Sequence, residues 1–374
     1  MSSIIIGTGF GDEGKGQTVH NHIRNHISNG IDSNIVVRFN GGQQAGHTVK
    51  DETADRTHIF SSFGSGTLLG AATYWSHYCT LCPLAWLKEY NQLPFKPVFI
   101  CHPLTMITTP YDIEIDRYNH NGMTVGTGFG NTVFRHEDMT HACRIYAKDL
   151  KYPTILKQKL FAIKQLYNQH DFVLDVNVDR FIDICTHVSK LIEISDYSIL
   201  KDYDEVTYEG AQGIMLDREY GVFPYMTRSK TTCRNAIEIH SKIPTWYAID
   251  DIVYVSRLFT TRHGKGPLEF LNAVNMNEYF DMSEETNVTN EYQGSFRTAP
   301  LNLDQLKYAM ESNEADWRMQ CQDLPYRQLK LTWYTKIKTS KIPVISNEQI
   351  VYMSADEIRD TIRGFGLIDS IEFV

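Results

Sequence analysis

The sequence predicts an α/β fold of the P-loop type, in which helices flank a central, mostly parallel β-sheet. Two observations support this prediction. A short apolar run at residues 4–6 precedes a glycine-rich loop, and apolar residues then recur at helical spacing, at Val19, Ile23 and Ile27. A second apolar run at residues 35–37 follows this segment. A strand–loop–helix–strand unit of this kind implies a parallel sheet.

The rest of the chain continues the same pattern. Further strands and one amphipathic helix are predicted, in chain order: a strand at 97–100, a helix carrying Phe181, Ile184, Val188 and Leu191, a strand within 247–255 and a strand at 343–345. The sequence contains no repeats and no low-complexity linker. We therefore expect a single domain over residues 1–374, with irregular insertions near residues 110–170 and 265–330.

Composition limits the classes of protein to which the chain can belong. The chain has 374 residues, a formal net charge of −9 and 42% hydrophobic residues, which is ordinary for a globular enzyme and unlike a general nucleic-acid binder. A secretory signal and a long apolar segment are both missing from the sequence, so we expect a cytoplasmic protein without membrane contact. The pair Cys79 and Cys82 has no second pair at metal-ligand spacing, which favours buried thiols over a metal or redox site.

The first stretch that indicates chemistry is GTGFGDEGKG, residues 7–16. Glycines allow main-chain N–H groups to turn inward, and the helix that follows adds positive potential for a phosphate. Lys15 can then reach the phosphates of a nucleoside triphosphate. The carboxylate of Asp12 would be repelled there unless it binds Mg²⁺ or takes a proton from a second substrate. For Glu13 an exposed turn position is the better interpretation.

The second stretch is NGGQQAGHTV, residues 40–49, which follows the second predicted strand. It should therefore lie beside the first loop, at the carboxyl edge of the sheet. Gln43 and Gln44 can hydrogen-bond a heterocycle. His47 could donate a proton or stabilise a developing negative charge.

The third stretch is EGAQGIMLDREYGVFPYMT, residues 209–227. Small residues around Gln212 permit the close approach of a planar ligand, and Gly221 and Pro224 interrupt the loop that follows. A tight turn without a ligand is the alternative, which the density of small residues makes the weaker interpretation.

These three stretches, in this order, resemble those of the adenylosuccinate synthetases. That family carries Gly-Asp-Glu-Gly-Lys-Gly, which residues 11–16 match completely, and Asn-Asn-Ala-Gly-His-Thr-Val, in which Gln43 and Gln44 replace the asparagine pair here. Residues 209–213 and 224–227 match Glu-Gly-Ala-Gln-Gly and Pro-Tyr-x-Thr. In addition, TTRHGKGP at residues 260–267 resembles the family's Thr-Thr-Arg-x-Gly-x-Gly-Pro.

The resemblance implies a ligase that replaces the 6-oxo group of a purine nucleotide by the amino group of aspartate. The 6-oxygen is first phosphorylated by a nucleoside triphosphate, and aspartate then displaces phosphate. By resemblance Asp12 removes the purine N1 proton, His47 acts beside the 6-oxygen and the transferring phosphoryl group, and Gln212 holds the purine. The implied partners are these small molecules and a second copy of the chain, since the family is homodimeric.

The resemblance also implies the remaining binding residues. They hold the triphosphate (Gly11, Glu13, Gly14, Lys15 and Gly16), the purine monophosphate (Gln44, Thr127, Gln212 and Thr227), and Mg²⁺ (Asp12 and the Gly46 carbonyl).

Three departures from the family pattern bear on the substrates. The aspartate-binding loop of the family is rich in arginine, whereas residues 290–304 contain only Arg297, to which we assign the aspartate carboxylate. The family reads guanine with an Asp in a Thr-Lys-x-Asp segment, but LTWYTK at residues 331–336 has no such Asp, which favours an adenine donor. The place of a cross-dimer arginine is taken by Ala142 and Cys143, with Arg144 just beyond.

The first two departures, the arginine-poor loop and the missing guanine-reading Asp, resemble the phage branch of the family, the 2-aminoadenylosuccinate synthetases, which take dGMP and spend ATP or dATP. We favour dGMP over IMP, and host cytoplasm as the location if the chain is phage-encoded. Some phage members lose the loop aspartate, whereas Asp12 is kept here. An ordinary adenylosuccinate synthetase that uses IMP and GTP is the first alternative. A non-catalytic nucleotide-binding regulator is the second.

Overall fold

The computed structural model of the protein describes residues 1–119, 124–137, 141–168, 176–244, 248–282, 296–321 and 323–374. Its strands, numbered in chain order, are β1 (Ser2–Gly7), β2 (Asn34–Arg38), β3 (His47–Asp51), β4 (Arg56–Phe60), β5 (Ala72–Trp75), β6 (Thr80–Leu81), β7 (Phe99–Cys101), β8 (Met106–Ile107), β9 (Glu193–Ile194), β10 (Glu205–Gly213), β11 (Asp251–Arg257), β12 (Phe259–His263), β13 (Phe296–Asn302), β14 (Tyr326–Thr332), β15 (Ile342–Ser346), β16 (Gln349–Met353) and β17 (Ser370–Phe373).

The α-helices of the described residues follow the same numbering. They are α1 (Lys15–Ser28), α2 (Pro83–Gln92), α3 (Pro110–Tyr118), α4 (Phe129–Glu137), α5 (Pro153–Asn168), α6 (Val178–Val188), α7 (Arg234–His240), α8 (Leu303–Arg318) and α9 (Ala355–Arg363). None of them is long and apolar enough to cross a lipid bilayer.

A sheet of nine strands forms the centre of the molecule, in the order β17-β14-β11-β1-β10-β2-β5-β7-β9. Every neighbouring pair in it is parallel. Strand β1 lies near the middle and is buried along its whole length, which explains why its sequence is a continuous apolar run rather than an alternating one. The predicted α/β class and parallel central sheet are confirmed.

The predicted elements correspond to observed ones with one difference in position. Residues 4–6, 35–37 and 99–100 lie in β1, β2 and β7, and the helix around Phe181 is α6. The strand predicted within 247–255 is β11, although Tyr247 lies outside the described residues. Residues 343–345 form β15, which belongs to a second, four-stranded sheet of order β12-β13-β15-β16 and not to the central sheet.

Both stretches predicted as irregular insertions contain regular elements. Residues 110–170 include α3, α4 and α5, and residues 265–330 include β13, α8 and most of β14. Since β14 pairs with β11 in the central sheet, the second stretch overlaps that sheet. Its residues 283–295, which include the start of the predicted aspartate-binding loop, lie outside the described residues.

The position of the glycine-rich loop follows from this topology. Parallel strands end at one edge of a sheet, so the loops after β1, β2, β10, β11 and β14 meet there. The loop after β1 turns sharply into α1 through positive φ angles at Gly11 (100°), Asp12 (61°) and Gly14 (98°). The left-handed conformation at Gly14, immediately before the helix, is one that glycine adopts without strain.

The cysteine pair noted in the sequence is buried. Burial raises the pKa of the Cys79 and Cys82 thiols to about 11 in each case, so both are held as neutral thiols. This agrees with the expectation of buried thiols.

Candidate active site

A cavity of about 720 Å³ opens at the carboxyl edge of the central sheet. The residues of the predicted site that line it are Gly11, Asp12, Lys15, Gln44, Gly46, His47, Thr127, Gln212 and Thr227. Segments far apart in the sequence therefore converge on one space. Three predicted residues, Glu13, Gly14 and Gly16, do not line this cavity, and Arg297 lines an adjacent recess of about 660 Å³.

The side chain of Glu13 is turned into the glycine-rich loop. It is only 3% exposed, and its carboxylate accepts hydrogen bonds from the main-chain N–H groups of Gly9 (3.0 Å) and Gly11 (2.9 Å). Its second oxygen accepts from Lys15 Nζ at 2.6 Å. This differs from the expected exposed turn residue. A phosphate at this loop would meet the main chain of Glu13 rather than its carboxylate.

Gly16 is required by the close packing of α1 against the neighbouring loop. A Cβ atom at this position would lie 2.8 Å from His47 Cβ, which is closer than real Cβ atoms approach. The glycine thus allows the first turn of α1 to pack beside the histidine, whose ring reaches the cavity.

Asp12 lies on the cavity wall and is held by two basic side chains. Its Oδ2 atom is 3.1 Å from His263 Nε2, and its main-chain carbonyl accepts a hydrogen bond from Arg257 Nε. Burial acts to raise the pKa of Asp12, but the hydrogen bond and charge of His263, together with the charges of Arg257 and Lys15, lower that pKa below its usual value overall. Asp12 is therefore a carboxylate at neutral pH, able to accept a proton or bind a cation.

His47 is oriented by a buried carboxylate. Its Nδ1 atom lies 2.5 Å from Glu209 Oε1, and Glu209 also accepts hydrogen bonds from Ser65 Oγ and, at 3.0 Å, from the Ser65 main chain. Burial lowers the pKa of His47 although Glu209 opposes this, so a neutral ring that donates Nδ1–H to the carboxylate is favoured. The Nε2 atom is buried, has no protein partner and belongs to a ring that lines the cavity.

Several other cavity-lining side chains carry buried polar atoms without a hydrogen-bond partner in the protein. They are Gln43 Oε1, both amide atoms of Gln44, Gln212 Oε1 and Thr227 Oγ1. Buried polar groups are normally paired, and most exceptions mark a place for water, an ion or a ligand. Gln43 is anchored by its Nε2 atom, which donates to the Thr127 carbonyl at 3.2 Å. The cavity is thus prepared for a ligand with several polar atoms.

Arg297, which lines the adjacent recess, lies beside a second arginine, Arg262, which lines the main cavity. It stands directly opposite Arg262 in the β12–β13 pair, and like charges in this position repel each other. Arg297 Nη2 donates to the Gly266 carbonyl at 3.0 Å, whereas Arg262 donates to the carbonyls of Pro267 (2.8 Å) and Tyr225 (3.0 Å). Burial, with the charge of Arg297, lowers the pKa of Arg262 to about 10. The buried Nε atoms of both arginines have no partner, so an anion between them would relieve the repulsion.

The end of β14 lies against the glycine-rich loop. It corresponds to the segment with which the resembled family recognises guanine. Thr332 Oγ1 donates to the Glu13 carbonyl at 2.9 Å. Trp333 packs edge-on against Phe259, and the Arg257 guanidinium lies 4.8 Å from the centre of its ring. The indole is therefore engaged with neighbouring side chains. The Tyr334 side chain lies outside the described part of the chain.

At the place of the cross-dimer arginine, Cys143 is buried and its carbonyl accepts a hydrogen bond from Arg135 Nη1 at 2.5 Å. This residue is committed to the interior of the chain, and it cannot replace an arginine that reaches a neighbouring subunit.

Sequence reasoning missed Glu209, His263 and Arg262 as residues of the site. Each lies in one of the sequence motifs described above. Each also contacts, or stands opposite, a residue of the predicted site. A usable signal existed for His263, because it occupies a variable position of the TTRHGKGP stretch and follows an arginine. The pairing of Glu209 with His47 had no local signal.

A parallel sheet whose first strand runs into a glycine-rich loop and helix, with a polar cavity at its carboxyl edge, is an architecture typical of nucleotide-binding α/β proteins. The chain belongs to the adenylosuccinate synthetase family, whose model matches residues 4–320. It is 30% identical over 281 residues to the adenylosuccinate synthetase of Thermodesulfovibrio yellowstonii, covering 71% of this chain and 64% of that protein. The Borrelia turicatae enzyme is 30% identical over 287 residues, covering 70% and 63%. The match therefore spans less than two thirds of the length of these relatives.

Two solved structures share the fold. A fully ligated adenylosuccinate synthetase from Plasmodium falciparum superposes with a TM-score of 0.69 at 18% identity, covering 93% of this chain and 82% of that one. The succinoaminodeoxyadenylate synthetase of cyanophage S-2L, bound to dGMP and to dATP as an energy donor, gives a TM-score of 0.62 at 12% identity, covering 97% and 99%. At these identities the likeness concerns the fold.

Proposed function

We propose that the protein is a ligase that joins L-aspartate to the 6-position of a purine nucleoside monophosphate, with dGMP as the acceptor and ATP or dATP as the donor. The observation that carries this proposal is the convergence of Asp12, Lys15, the His47–Glu209 pair and Gln212 on one cavity. A protein that only binds nucleotides has no need of a poised carboxylate and an oriented imidazole, so this arrangement supports catalysis over a regulatory role.

In the proposed first step, the 6-oxygen of the purine attacks the terminal phosphoryl group of the triphosphate, the bond between the β- and γ-phosphates breaks, and the nucleoside diphosphate leaves. Asp12 takes the proton from purine N1 as this happens, and Lys15 lies beside the phosphates. His47 faces the transferring group through Nε2, and Gln212 offers its unpartnered Oε1 to the purine. Glu209 holds the Nδ1 edge of the imidazole in place. The ring of His47 therefore needs no reorientation when negative charge develops on the transferring group.

Mg²⁺ fits the residues present and is part of the proposal. Asp12 and Gly46 line the same cavity, and oxygen atoms are the ligands that Mg²⁺ prefers. When bound there it would neutralise phosphate charge. Asp12 contacts His263 through its Oδ2 atom. Its other oxygen, Oδ1, is the one we assign to binding Mg²⁺ or to accepting the proton of purine N1.

In the proposed second step, the amino group of aspartate attacks C6 and phosphate leaves. An aspartate molecule needs cations for its carboxylates, and we assign this role to Arg297, which lines the recess, and to Arg262, which lines the adjoining cavity. Lys265 lines both spaces, so the recess is continuous with the place of the purine. The role assigned to Arg297 is therefore shared with a second arginine.

Replacing Arg297 with leucine is expected to raise KM for aspartate by about 10- to 100-fold, which corresponds to one charge-assisted hydrogen bond of about 1.5–3 kcal/mol. KM for the purine should change little. Steady-state kinetics with each substrate varied in turn measures both values. Arg318→Leu, on the exposed face of α8, is the matched control and should change neither. An equal rise in both constants would assign Arg297 a structural role.

The proposed donor and acceptor are tested by comparing kcat/KM among pairs of nucleotides with Mg²⁺ and aspartate present. ATP is expected to exceed GTP as donor, since guanine presents two adjacent N–H donors and the position after Thr332 has no carboxylate to accept them. dGMP is expected to exceed IMP as acceptor. This second expectation draws on the phage branch and on the cyanophage enzyme, whose length this chain matches closely.

Each outcome of that comparison selects one candidate function. If IMP with GTP is the best pair, the protein is an ordinary adenylosuccinate synthetase. If IMP with ATP is the best pair, the predicted donor is right and only the predicted acceptor is wrong. Tight nucleotide binding without turnover for any pair would favour the non-catalytic regulator. The predicted homodimer and the cytoplasmic location remain predictions.

A further inference from the structure

A second cluster of ligand-type side chains lies at the opposite edge of the central sheet. His22 and His26 are one helical turn apart on α1 and therefore share a face. Glu205 begins β10 at the amino edge of the sheet and is fully buried. At about 1.5 Å of rise per residue, the two histidines lie about 10 and 16 Å along α1 from Lys15, so this cluster is separate from the cavity.

The distances within the cluster match those of a metal site. His22 Nε2 lies 3.4 Å from Glu205 Oε1, and His26 Nδ1 lies 3.5 Å from Glu205 Oε2. One ligand atom from each of the three residues falls within 4.8 Å of the others. Ligand atoms around a tetrahedral ion with bonds of about 2.1 Å are about 3.4 Å apart, so little movement would close this set around an ion.

The cluster contains buried polar atoms without a hydrogen-bond partner. His26 Nδ1 and Glu205 Oε2 are both of this kind, and so is Oδ1 of Asp251, which begins the nearby strand β11. The amino group of Met1 is 3.9 Å from Glu205 Oε2, which is beyond hydrogen-bond distance. Three polar atoms in this group of two imidazoles and two carboxylates therefore lack a partner, which a cation would supply.

We propose that His22, His26 and Glu205 bind a zinc ion, with Asp251 or a water molecule as the fourth ligand. Imidazole nitrogen with carboxylate oxygen is a ligand set that Zn²⁺ uses in proteins. The histidine side chains are 17% and 15% exposed, which gives an ion access from solvent.

Such an ion would join α1 to the start of β10. Helix α1 begins at the glycine-rich loop, and β10 ends at Gln212 and Gly213 beside the cavity. The ion would therefore stabilise the fold at the far end of two elements that form the active site, without touching the substrates. Its effect should appear in the melting temperature of the protein.

Titration of the full chain with Co²⁺, after treatment with a chelator and in the presence of excess Mg²⁺, tests the proposal. Tetrahedral Co²⁺ absorbs visible light, and Zn²⁺ should displace it. We expect one such site in the unmodified protein and a rise in melting temperature with Zn²⁺. His22→Gln and His26→Gln should each weaken binding by more than the ~10- to 100-fold that loss of an outer-shell partner costs.

The matched control is His58→Gln. His58 Nε2 lies 3.5 Å from Glu89 Oε1 in a histidine–carboxylate pair of the same kind, which among the described residues belongs to no group of three ligands, so this variant should bind Co²⁺ as the unmodified protein does. Equal melting temperatures without metal would show that the variants fold, and His22→Gln decides the result if His26→Gln does not fold. Absence of a bound ion, or binding that survives in both variants, would overturn the proposal.

Discussion

Asp12→Asn is expected to abolish turnover while triphosphate binding is largely retained. The amide has nearly the shape of the carboxylate, but it cannot accept the proton of purine N1, and it removes one proposed Mg²⁺ ligand. The hydrogen bond and charge of His263 and the nearby cations lower the pKa of Asp12, so the unmodified residue is already deprotonated at neutral pH. The loss should therefore appear in kcat across the neutral pH range.

Two measurements separate this role from a structural one. Calorimetric titration with ATP should give a dissociation constant close to that of the unmodified protein, since Lys15 and the main chain of the loop are unchanged. Steady-state turnover within a few-fold of the unmodified protein would refute the assignment of Asp12 as the base. Loss of both binding and turnover would show that the variant disturbs the loop.

His47→Ala is expected to lower kcat by about 10²-fold or more, with a much smaller change in KM for the purine. The physical reason is that His47 acts on charge that develops only in the transition state. Its ring lines the cavity, and Nε2 has no protein partner to satisfy it before the substrates bind. Single-turnover measurements of phosphoryl transfer, compared with purine affinity, provide the test.

Glu209→Gln is the informative companion to His47→Ala. The glutamine side chain keeps the volume at this buried position but no longer holds Nδ1–H against a negative charge. Turnover should fall in the same direction as for His47→Ala, and the two losses should not add because the residues act as a unit. If His47→Ala raises only KM for the purine, His47 is a binding residue and the proposed role is wrong.

The sequence predicted the fold well where hydrophobic pattern and turn chemistry act together. Strand β1 is buried on both faces and therefore appears as an unbroken apolar run, and the glycine-rich loop marks the start of α1. Residues 343–345 show the limit of this reasoning. Their apolar run identifies a buried strand, but only tertiary pairing decides that β15 joins β13 and not the central sheet.

The site was predictable only in part, for a related reason. Asp12, His47 and Gln212 lie in stretches whose composition indicates ligand binding. The carboxylate that orients His47 is 162 residues away in sequence, and the parallel neighbours β2 and β10 bring the two together. Glu13 is the opposite case, since its position in a glycine-rich turn favours exposure. Two main-chain N–H groups and a lysine instead draw its carboxylate inward.

Within the glycine-rich loop, Glu13 and Lys15 form a buried ion pair in which each charge neutralises the other. Both side chains are 4% exposed and their charges cancel, so the lysine of this loop belongs to a buried ion pair and is not a bare ammonium group. Oriented main-chain dipoles and the start of α1 would then supply a large part of the attraction for a phosphate, beside the paired Lys15. Under the proposed function, recognition would depend on the shape of the loop and on an accompanying cation, which would distinguish a metal-bound triphosphate from free phosphate or sulfate.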